Sequence, residues 1–380
     1  MLNIGKSYIV QTAGTSRLCA DLTIDNHRTT LWFSVDCMHE EWLALGRADP
    51  FVVALLPKAM RGGHKIVCED PISERLHYQL TNGLIPTLVF AGEDYQPITI
   101  IAPLTSERVS NQGAVGTGFS GGVDCLYTIM RHGADSEMPL THSVVVNRQD
   151  RLWDENTFHK ICQRAELFGS EQNLQAVFVD TNYRSVLPAV TDNLVTFRYI
   201  SCVLALQGLF KAYLVSSGPN AAKLNLDLNV CDRYDLLTVN CVSNESLSFY
   251  LSGSETTRGG KLAALAQWPP SRRWLNACTI KEGEYNNCGH CKKCIHDMTM
   301  LYALGQLEQY NTVFDTADYL RHLPARIGYI LANRDKSESC TQAVQLLKEQ
   351  NTPIPSAAYI YEKQFRRAKQ NQEIIQGARI

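Results

Sequence analysis

The chain has 380 residues, long enough for two or three domains, and its 45% apolar and 19% charged composition is that of a folded protein rather than a disordered one. Its 36 Lys and Arg and 38 Asp and Glu leave a net charge of -2, which argues against bulk-charge binding to nucleic acid or a membrane surface, and no stretch approaches the ~20 apolar residues of a membrane-spanning helix. With no secretory leader, and with an odd count of 13 Cys that does not suit a disulfide framework, we expect a cytoplasmic protein.

Residues 1–112 predict a β-rich α+β domain. Short apolar and β-branched runs separated by turn residues predict strands, at 7–12, 30–35, 87–90 and 98–102. Helical spacing over 49–59 predicts a helix that stops near the glycine pair at 62–63. The segment contains no chemical motif, so docking of a partner protein through it is left open.

Residues 113–300 predict a doubly wound, mostly parallel α/β sheet, because short apolar strands alternate with longer helical patterns. The predicted strands are 114–119, 142–147, 176–180 and 212–216. The predicted helices are 124–131, 154–168 and 196–209. Residues 301–380 predict a helical extension whose last part, 363–379, is a polar helix or tail.

Glycines following the first of these strands allow two interpretations. Gly116, Gly118 and Gly121 match the spacing of a dinucleotide-binding fingerprint, but residues 110–113 make a poor buried strand before them. A Walker A phosphate loop is excluded, because no Lys follows the glycines.

The second interpretation places a strand at 114–119, a turn at Ser120, Gly121 and Gly122, and a helix that begins around Asp124. The glycines would let the backbone approach an anion closely, and the N–H groups and dipole of the helix start would hold a phosphate. In this arrangement Asp124 would position Mg2+ or cap the turn. A plain strand–helix turn with no ligand is the alternative.

The run Ser-Gly-Gly-Val-Asp-Cys at 120–125 resembles the pyrophosphate loop, SGGxDS, of the N-type ATP pyrophosphatases. These enzymes cleave ATP to AMP and pyrophosphate while adenylating a carbonyl or carboxylate oxygen, and their fold is a doubly wound α/β sheet. The resemblance implies catalytic roles for Ser120 and Asp124, and it implies ATP and Mg2+ bound at Ser120, Gly121, Gly122, Val123, Asp124 and Cys125. Cys125 departs from the family's final Ser, and a thiol is the weaker hydrogen-bond donor.

Polar residues at other strand ends are candidates for the same crevice, because open α/β sheets bind ligands beyond the carboxyl ends of their strands. The candidates are Val146 and Asn147, residues 180–182, and residues 216–218 with Ser217 on the substrate side. The resemblance implies that the end of the second strand lies near adenine. Further along, Arg258 and Lys261 could neutralise pyrophosphate, or belong to a solvated loop.

Four cysteines predict a metal site. Cys288, Cys291 and Cys294 form a C-x2-C-x2-C run, and Cys278 lies upstream. Four thiolates at such spacing suit a structural, tetrahedral Zn2+, with a [4Fe–4S] cluster as the rival and His290 as a less suitable ligand than Cys278.

The loop followed by CGxCxxC resembles the 7-cyano-7-deazaguanine synthase group, over about residues 113–300. The resemblance implies an AMP-forming ligase that adenylates a small-molecule or protein-borne carboxylate and passes it to ammonia or an amine. The alternatives are tRNA thiolation, which the net charge does not support, and a zinc-containing nucleotide-binding or assembly protein without turnover. A homo-oligomer is left open.

Overall fold

The computed structural model describes residues 1–92, 94–147, 155–187, 195–228, 231–278 and 287–377. It confirms an α/β protein with a large, mostly parallel sheet. The strands in chain order are β1 (Leu2–Thr12), β2 (Thr15–Ile24), β3 (His27–Asp36), β4 (Ile66–Cys68), β5 (Ile72–Ser73), β6 (Ile100–Ile101), β7 (Leu104–Thr105), β8 (Ala114–Gly118), β9 (His142–Val146), β10 (Gln175–Thr181), β11 (Phe210–Ser216) and β12 (Ser248–Ser252).

The described residues also form fifteen α-helices. In order they are α1 (Asp49–Gly62), α2 (Glu74–Gln79), α3 (Ile85–Ala91), α4 (Val123–Arg131), α5 (Glu155–Gln172), α6 (Tyr183–Val186), α7 (Val195–Leu204), α8 (Asp235–Asn240), α9 (Arg258–Ala266), α10 (Pro270–Trp274), α11 (Lys292–Ala303), α12 (Thr316–Arg321), α13 (Leu323–Asn333), α14 (Glu338–Glu349) and α15 (Ser356–Gly377). None of the helices in the described ranges is long and apolar enough to cross a bilayer.

The ten-stranded sheet runs in the order β12-β11-β8-β9-β10-β3-β2-β1-β4-β6, and a separate pair joins β5 to β7. The first five strands are parallel, with β8 in the middle. From β8 the chain proceeds to β9 and β10 on one side and to β11 and β12 on the other. The direction in which successive strands are added to the sheet therefore reverses between β8 and β11. Open α/β sheets bind ligands at such a switch point.

The N-terminal strands extend this same sheet, because β3 pairs antiparallel with β10. Side chains at the end of β10 support the pairing. The Thr181 hydroxyl donates to Trp32 O at 2.7 Å, and the Asn182 amide donates to Thr30 O at 2.7 Å and accepts from Trp32 N at 2.9 Å. These two side chains, proposed from the sequence as crevice residues, therefore hydrogen-bond to β3.

Most predicted elements of the α/β region are confirmed, including all four of its predicted strands. The helix predicted over 49–59 is α1, which ends at Gly63 in the left-handed conformation. Helix α5 confirms the helix predicted over 154–168, although Asp154 itself lies outside the described residues. The helix predicted over 196–209 ends earlier, at Leu204.

The strand predicted over 87–90 is wrong: these residues belong to helix α3. Pro86 occupies its first turn, where a missing N–H costs nothing, and the Thr87 hydroxyl donates back to Gly83 O at 2.8 Å. Leu84 and Leu88 are buried while Phe90 is 90% exposed. Helical spacing of the buried leucines thus outweighs the β propensity of the run.

The chain divides into two compact units. The first, which we call the sheet unit, comprises Met1–Phe119 and Arg131–Glu255 and contains all twelve described strands. The second, the helical unit, comprises Ser120–Met130 and Thr256–Ile380. Its core is made of buried aliphatic and aromatic side chains from α9, α11, α12 and α13, such as Leu265, Met298, Tyr319 and Ile327.

Candidate functional site

The glycine turn of the helical unit is held against the segment that precedes Cys278. Gly121 has φ 71°, and the Asn276 main-chain N–H donates to its carbonyl at 2.7 Å. The Asn276 side chain donates to Ser120 O at 3.1 Å. A Cβ on Gly121 would lie 3.0 Å from Trp274 O, so both the conformation and the space at this position require glycine.

Within the turn, a backbone N–H and a hydroxyl group are hydrogen-bonded to each other. Ser120 is exposed, and its Oγ accepts from Gly122 N at 3.2 Å. The Leu126 N–H donates to Gly122 O at 2.9 Å, so α4 begins directly after the turn. The N–H groups of a first helical turn and the helix dipole attract anions, which gives the turn the chemistry that a phosphate needs.

Cys125 points its thiol back into the turn. Its Sγ accepts from Ser120 N at 3.5 Å, and the residue is buried. Burial raises the pKa of the Cys125 thiol to about 11, so it remains protonated at neutral pH. The thiol therefore supplies shape and a weak acceptor to the turn.

Two cations meet Asp124, which is in the first turn of α4. The Lys261 ammonium, 0% exposed, lies 2.8 Å from one Asp124 oxygen, and Arg258 Nη1 lies 3.6 Å from the other. Arg258 and Lys261 lie on α9, whose N-cap Thr257 accepts from Gly260 N, so the solvated loop considered for them is wrong. Their charges lie next to the turn, as their proposed role requires.

Arg258 also forms a forked pair with Asp297 of α11. Its Nε and Nη2 lie 3.1 Å and 2.9 Å from the two Asp297 oxygens, and Asp297 is 0% exposed. Burial raises the pKa of Asp297, and the Arg258 guanidinium opposes that rise. With both carboxylates ionised, the two negative charges of Asp124 and Asp297 balance the two positive charges of Arg258 and Lys261. These four side chains together then carry no net charge.

The remaining strand-end candidates belong to the sheet unit. Val146 is buried in β9, and Asn147 continues the sheet by donating its N–H to Val179 O at 2.8 Å. Ser217 is 0% exposed, and its hydroxyl donates to Pro219 O at 2.7 Å within its own turn. The structure thus brings residues 120–125 together with Arg258 and Lys261 in the helical unit. Val146, Asn147 and Ser217 lie in the sheet unit.

Cys278, Cys288, Cys291 and Cys294 converge in the helical unit and could hold a metal ion such as zinc. Their Sγ atoms are 3.5 Å apart for Cys278 and Cys288, 3.7 Å for Cys278 and Cys291, 3.5 Å for Cys291 and Cys294, and 3.9 Å for Cys288 and Cys294. Four sulfurs at ~2.3 Å from one tetrahedral ion would be ~3.8 Å apart, which matches these distances. An iron–sulfur cluster would spread them over four irons.

The environment of the cysteines favours thiolate at one position. Burial would raise the pKa of Cys288, but the N–H groups of His290 and Cys291 outweigh it and lower this pKa to about 7. Burial and the neighbouring sulfurs raise the pKa of Cys294, and a bound cation would oppose that rise. His290 Nδ1 lies 2.7 Å from Cys288 O, and His290 is outside the four-residue group.

Two asparagines that the sequence analysis missed organise both features. Asn287, 2% exposed, accepts from the N–H groups of Ala277 and Cys278 at 2.7 and 3.2 Å and donates to Leu275 O and Val313 O at 3.0 Å. Asn276 holds the glycine turn, and its Oδ1 is buried without a partner in the described parts of the chain. The sequence offered one signal for them: Asn276 lies two residues before Cys278, and Asn287 lies one residue before Cys288.

Comparisons of the chain with protein-family models, with curated proteins and with solved structures found no match. The assignment of a function therefore depends on the turn, its charged neighbours and the four cysteines.

Proposed function

We propose that the chain is an ATP-dependent ligase that adenylates a carboxylate, releases pyrophosphate and transfers the acyl group to a nitrogen nucleophile, as in the 7-cyano-7-deazaguanine synthase-like group of ATP pyrophosphatases. The observation that carries the proposal is the turn at 120–122. It follows a parallel strand, requires glycine at Gly121, and leads into a helix whose Asp124 is bound by Arg258 and Lys261. Backbone N–H groups and two cations beside one turn suit a polyphosphate better than any other common ligand.

In this proposal a carboxylate oxygen attacks the α-phosphorus of ATP, and the bond to pyrophosphate breaks. An amine nitrogen then attacks the acyl carbon, AMP leaves, and the nitrogen loses a proton to solvent. The turn would bind the departing pyrophosphate, with Ser120 donating a hydroxyl and with Arg258 and Lys261 holding Asp124 beside it. Catalysis would be mainly positional and electrostatic.

The charge balance around Asp124 favours a phosphate that brings its own cation. Because Asp124 and Asp297 already neutralise Arg258 and Lys261, a free polyphosphate would add uncompensated negative charge. A magnesium ion would supply the compensating charge, and Asp124 is the residue that would share it with the phosphates. We therefore infer Mg2+–ATP as the bound form.

We infer that the four cysteines hold Zn2+ in a structural role, since four thiolates close its coordination shell and leave no open position for a substrate. The thiols must stay reduced to bind it, which fits the cytoplasm as the proposed location.

A non-catalytic nucleotide-binding protein is the second candidate, and Cys125 is the observation that favours it. Its buried thiol accepts the Ser120 N–H, a donor that a catalytic loop would offer to phosphate. Such a protein would bind nucleotide without releasing AMP. No observation on the described residues favours tRNA thiolation.

Gly122 offers the sharpest test of the proposal. A Cβ there would meet Ser120 Oγ at 3.2 Å and Asn276 O at 3.9 Å, so Gly122→Ala should fold while placing a methyl group beside the Ser120 hydroxyl. We expect Mg2+–ATP at about a hundred times its dissociation constant to stabilise the wild type by ~2.7 kcal/mol, and Gly122→Ala and Ser120→Ala to lose most of that stabilisation. The exposed Ser110→Ala is the control.

Product analysis separates the two candidates. Release of AMP and pyrophosphate in the presence of a carboxylate and ammonia supports the ligase, whereas nucleotide binding without either product supports the non-catalytic protein. Equal thermal shifts in wild type and Gly122→Ala, or no shift in the wild type, would contradict the proposed ATP site.

A further inference from the structure

The helical unit contains a cavity of about 530 Å3 beside the cysteine-rich turn. Its walls come from that turn and from α11, α12, α13 and α15. The side chains that characterise it are ionisable or aromatic: Lys292, Asp318, His322, Arg326, Tyr329 and Phe365. A volume of this size fits a small ligand, for which protein sites commonly offer ~300–1,000 Å3.

The cationic side chains of the lining, Lys292 and Arg326, outnumber its one carboxylate, Asp318. Arg326 donates through Nη2 to Asp318 at 3.2 Å, but its Nε is buried with no partner in the described ranges. Asp318 is shared, since His322 Nδ1 lies 3.1 Å and Arg321 Nη1 3.6 Å from it. Lys292 forms no ion pair with a carboxylate within the described part of the chain. Lys292 and Arg326 therefore leave the lining with excess positive charge over Asp318, which fits an anion.

The lining also contains apolar and aromatic side chains. The rings of Tyr329 and Phe365 meet edge to face, with centroids 5.9 Å apart and planes at 88°. Phe365 is 38% exposed, and Ile295 and Ala325 complete the apolar wall. Exposed aromatic faces beside a cationic wall suit a flat apolar or aromatic body that carries the anion.

The cavity is separate from the glycine turn. On α11, Lys292 and Ile295 line the cavity, whereas Asp297 binds Arg258. Residues two apart on a helix do not share a face, so the helix presents the cavity and the Asp124 group on different sides. Nothing in the proposed ligase chemistry uses the cavity residues.

We propose that this cavity is a second ligand site of the protein, for a small anion with a flat apolar or aromatic body, held by Arg326 and Lys292 and packed on Tyr329 and Phe365.

Anilinonaphthalene sulfonate, a fluorescent aromatic anion, is the probe, and neutral phenylnaphthylamine is its uncharged counterpart. We expect one equivalent of the anion to bind the native chain and the neutral compound to bind at least tenfold more weakly. Arg326→Gln should weaken the anion about tenfold, since a charge-assisted hydrogen bond is lost. The control, Arg367→Gln, changes an exposed Arg on α15 outside the cavity wall and should change affinity less than twofold.

Lys292→Gln provides an independent variant, because Lys292 is exposed and its removal should leave folding intact. Phe365→Leu should reduce binding of both probes. Absence of stoichiometric binding, equal affinity for the two probes, or unchanged affinity in both Arg326→Gln and Lys292→Gln would overturn the proposal. Melting temperatures identify a variant that has failed to fold. If Arg326→Gln does not fold, the affinity of Lys292→Gln for the anionic probe decides whether the proposal holds.

Discussion

Asn276 and Gly121 are in direct contact: the Asn276 N–H donates to Gly121 O at 2.7 Å, and a Cβ on Gly121 would lie 3.1 Å from the Asn276 Cβ. Asn276 lies two residues before Cys278, whose N–H is bound by Asn287 next to Cys288. The glycine turn and the four-cysteine site are thus connected by a few residues of hydrogen-bonded backbone. A metal that fixes Cys278 would also fix the segment on which the turn is packed.

We predict that loss of the metal loosens the glycine turn. Cys288→Ser removes one ligand, so bound metal measured by mass spectrometry should fall from about one equivalent to a small fraction, because a structural zinc site depends on its full ligand set. Amide hydrogen exchange at 120–123 and 274–278 should accelerate. Cys37→Ser, at an exposed cysteine, is the control. A metal-free variant with unchanged exchange at 120–123 would refute the connection.

We predict a large stability loss for Asn287→Ala. The variant removes four hydrogen bonds and leaves buried backbone groups of Leu275, Ala277 and Cys278 unsatisfied, at ~1–3 kcal/mol each. The melting temperature of the helical unit should fall by several degrees or more, whereas that of Asn311→Ala, an exposed asparagine of the same unit, should stay within about one degree. Equal melting temperatures would show that other contacts hold the segment.

We predict opposite outcomes for alanine at the two glycines of the turn. Gly121→Ala places a side chain at φ 71° and against Trp274 O at 3.0 Å, and the left-handed conformation alone costs ~1–2 kcal/mol. In Gly122→Ala the close neighbour of the new Cβ is the movable Ser120 Oγ at 3.2 Å, so this variant should be nearly as stable as the wild type. Thermal unfolding monitored by circular dichroism measures the difference. Similar losses in both variants would mean that the turn is not packed as described.

The sequence alone was sufficient for those features that depend on local patterns. Glycines after an apolar strand predicted the turn at 120–122, and cysteine spacing predicted the four cysteines that converge. The partners of Asp124 depend on residues more than a hundred positions away, so local spacing could suggest Lys261 as a cation but not its burial. Likewise, strand order and the pairing of β3 with β10 arise from tertiary packing, which hydrophobic periodicity does not encode.

We predict that Asp235 makes the sheet unit less stable as pH rises. Asp235 is 4% exposed, and burial raises its pKa to about 7, with the Thr196 hydroxyl, 2.6 Å away, opposing the rise. In the unfolded chain the pKa is ~3.9. Between about pH 4 and 7 the folded chain therefore holds a proton that the unfolded chain has lost, and the free energy of unfolding falls through this window by up to ~4 kcal/mol.

Asp235→Asn tests this directly, because its side-chain carbonyl can still accept from Thr196 and does not ionise. We expect the variant to match the wild type near pH 4 and to exceed it increasingly toward pH 8, as measured by urea unfolding across pH. Asp135→Asn, at an exposed position of the sheet unit, should show no such trend. A stability difference that is constant between pH 4 and 8 would mean that Asp235 is ionised in the folded chain, and that another charge compensates for its burial.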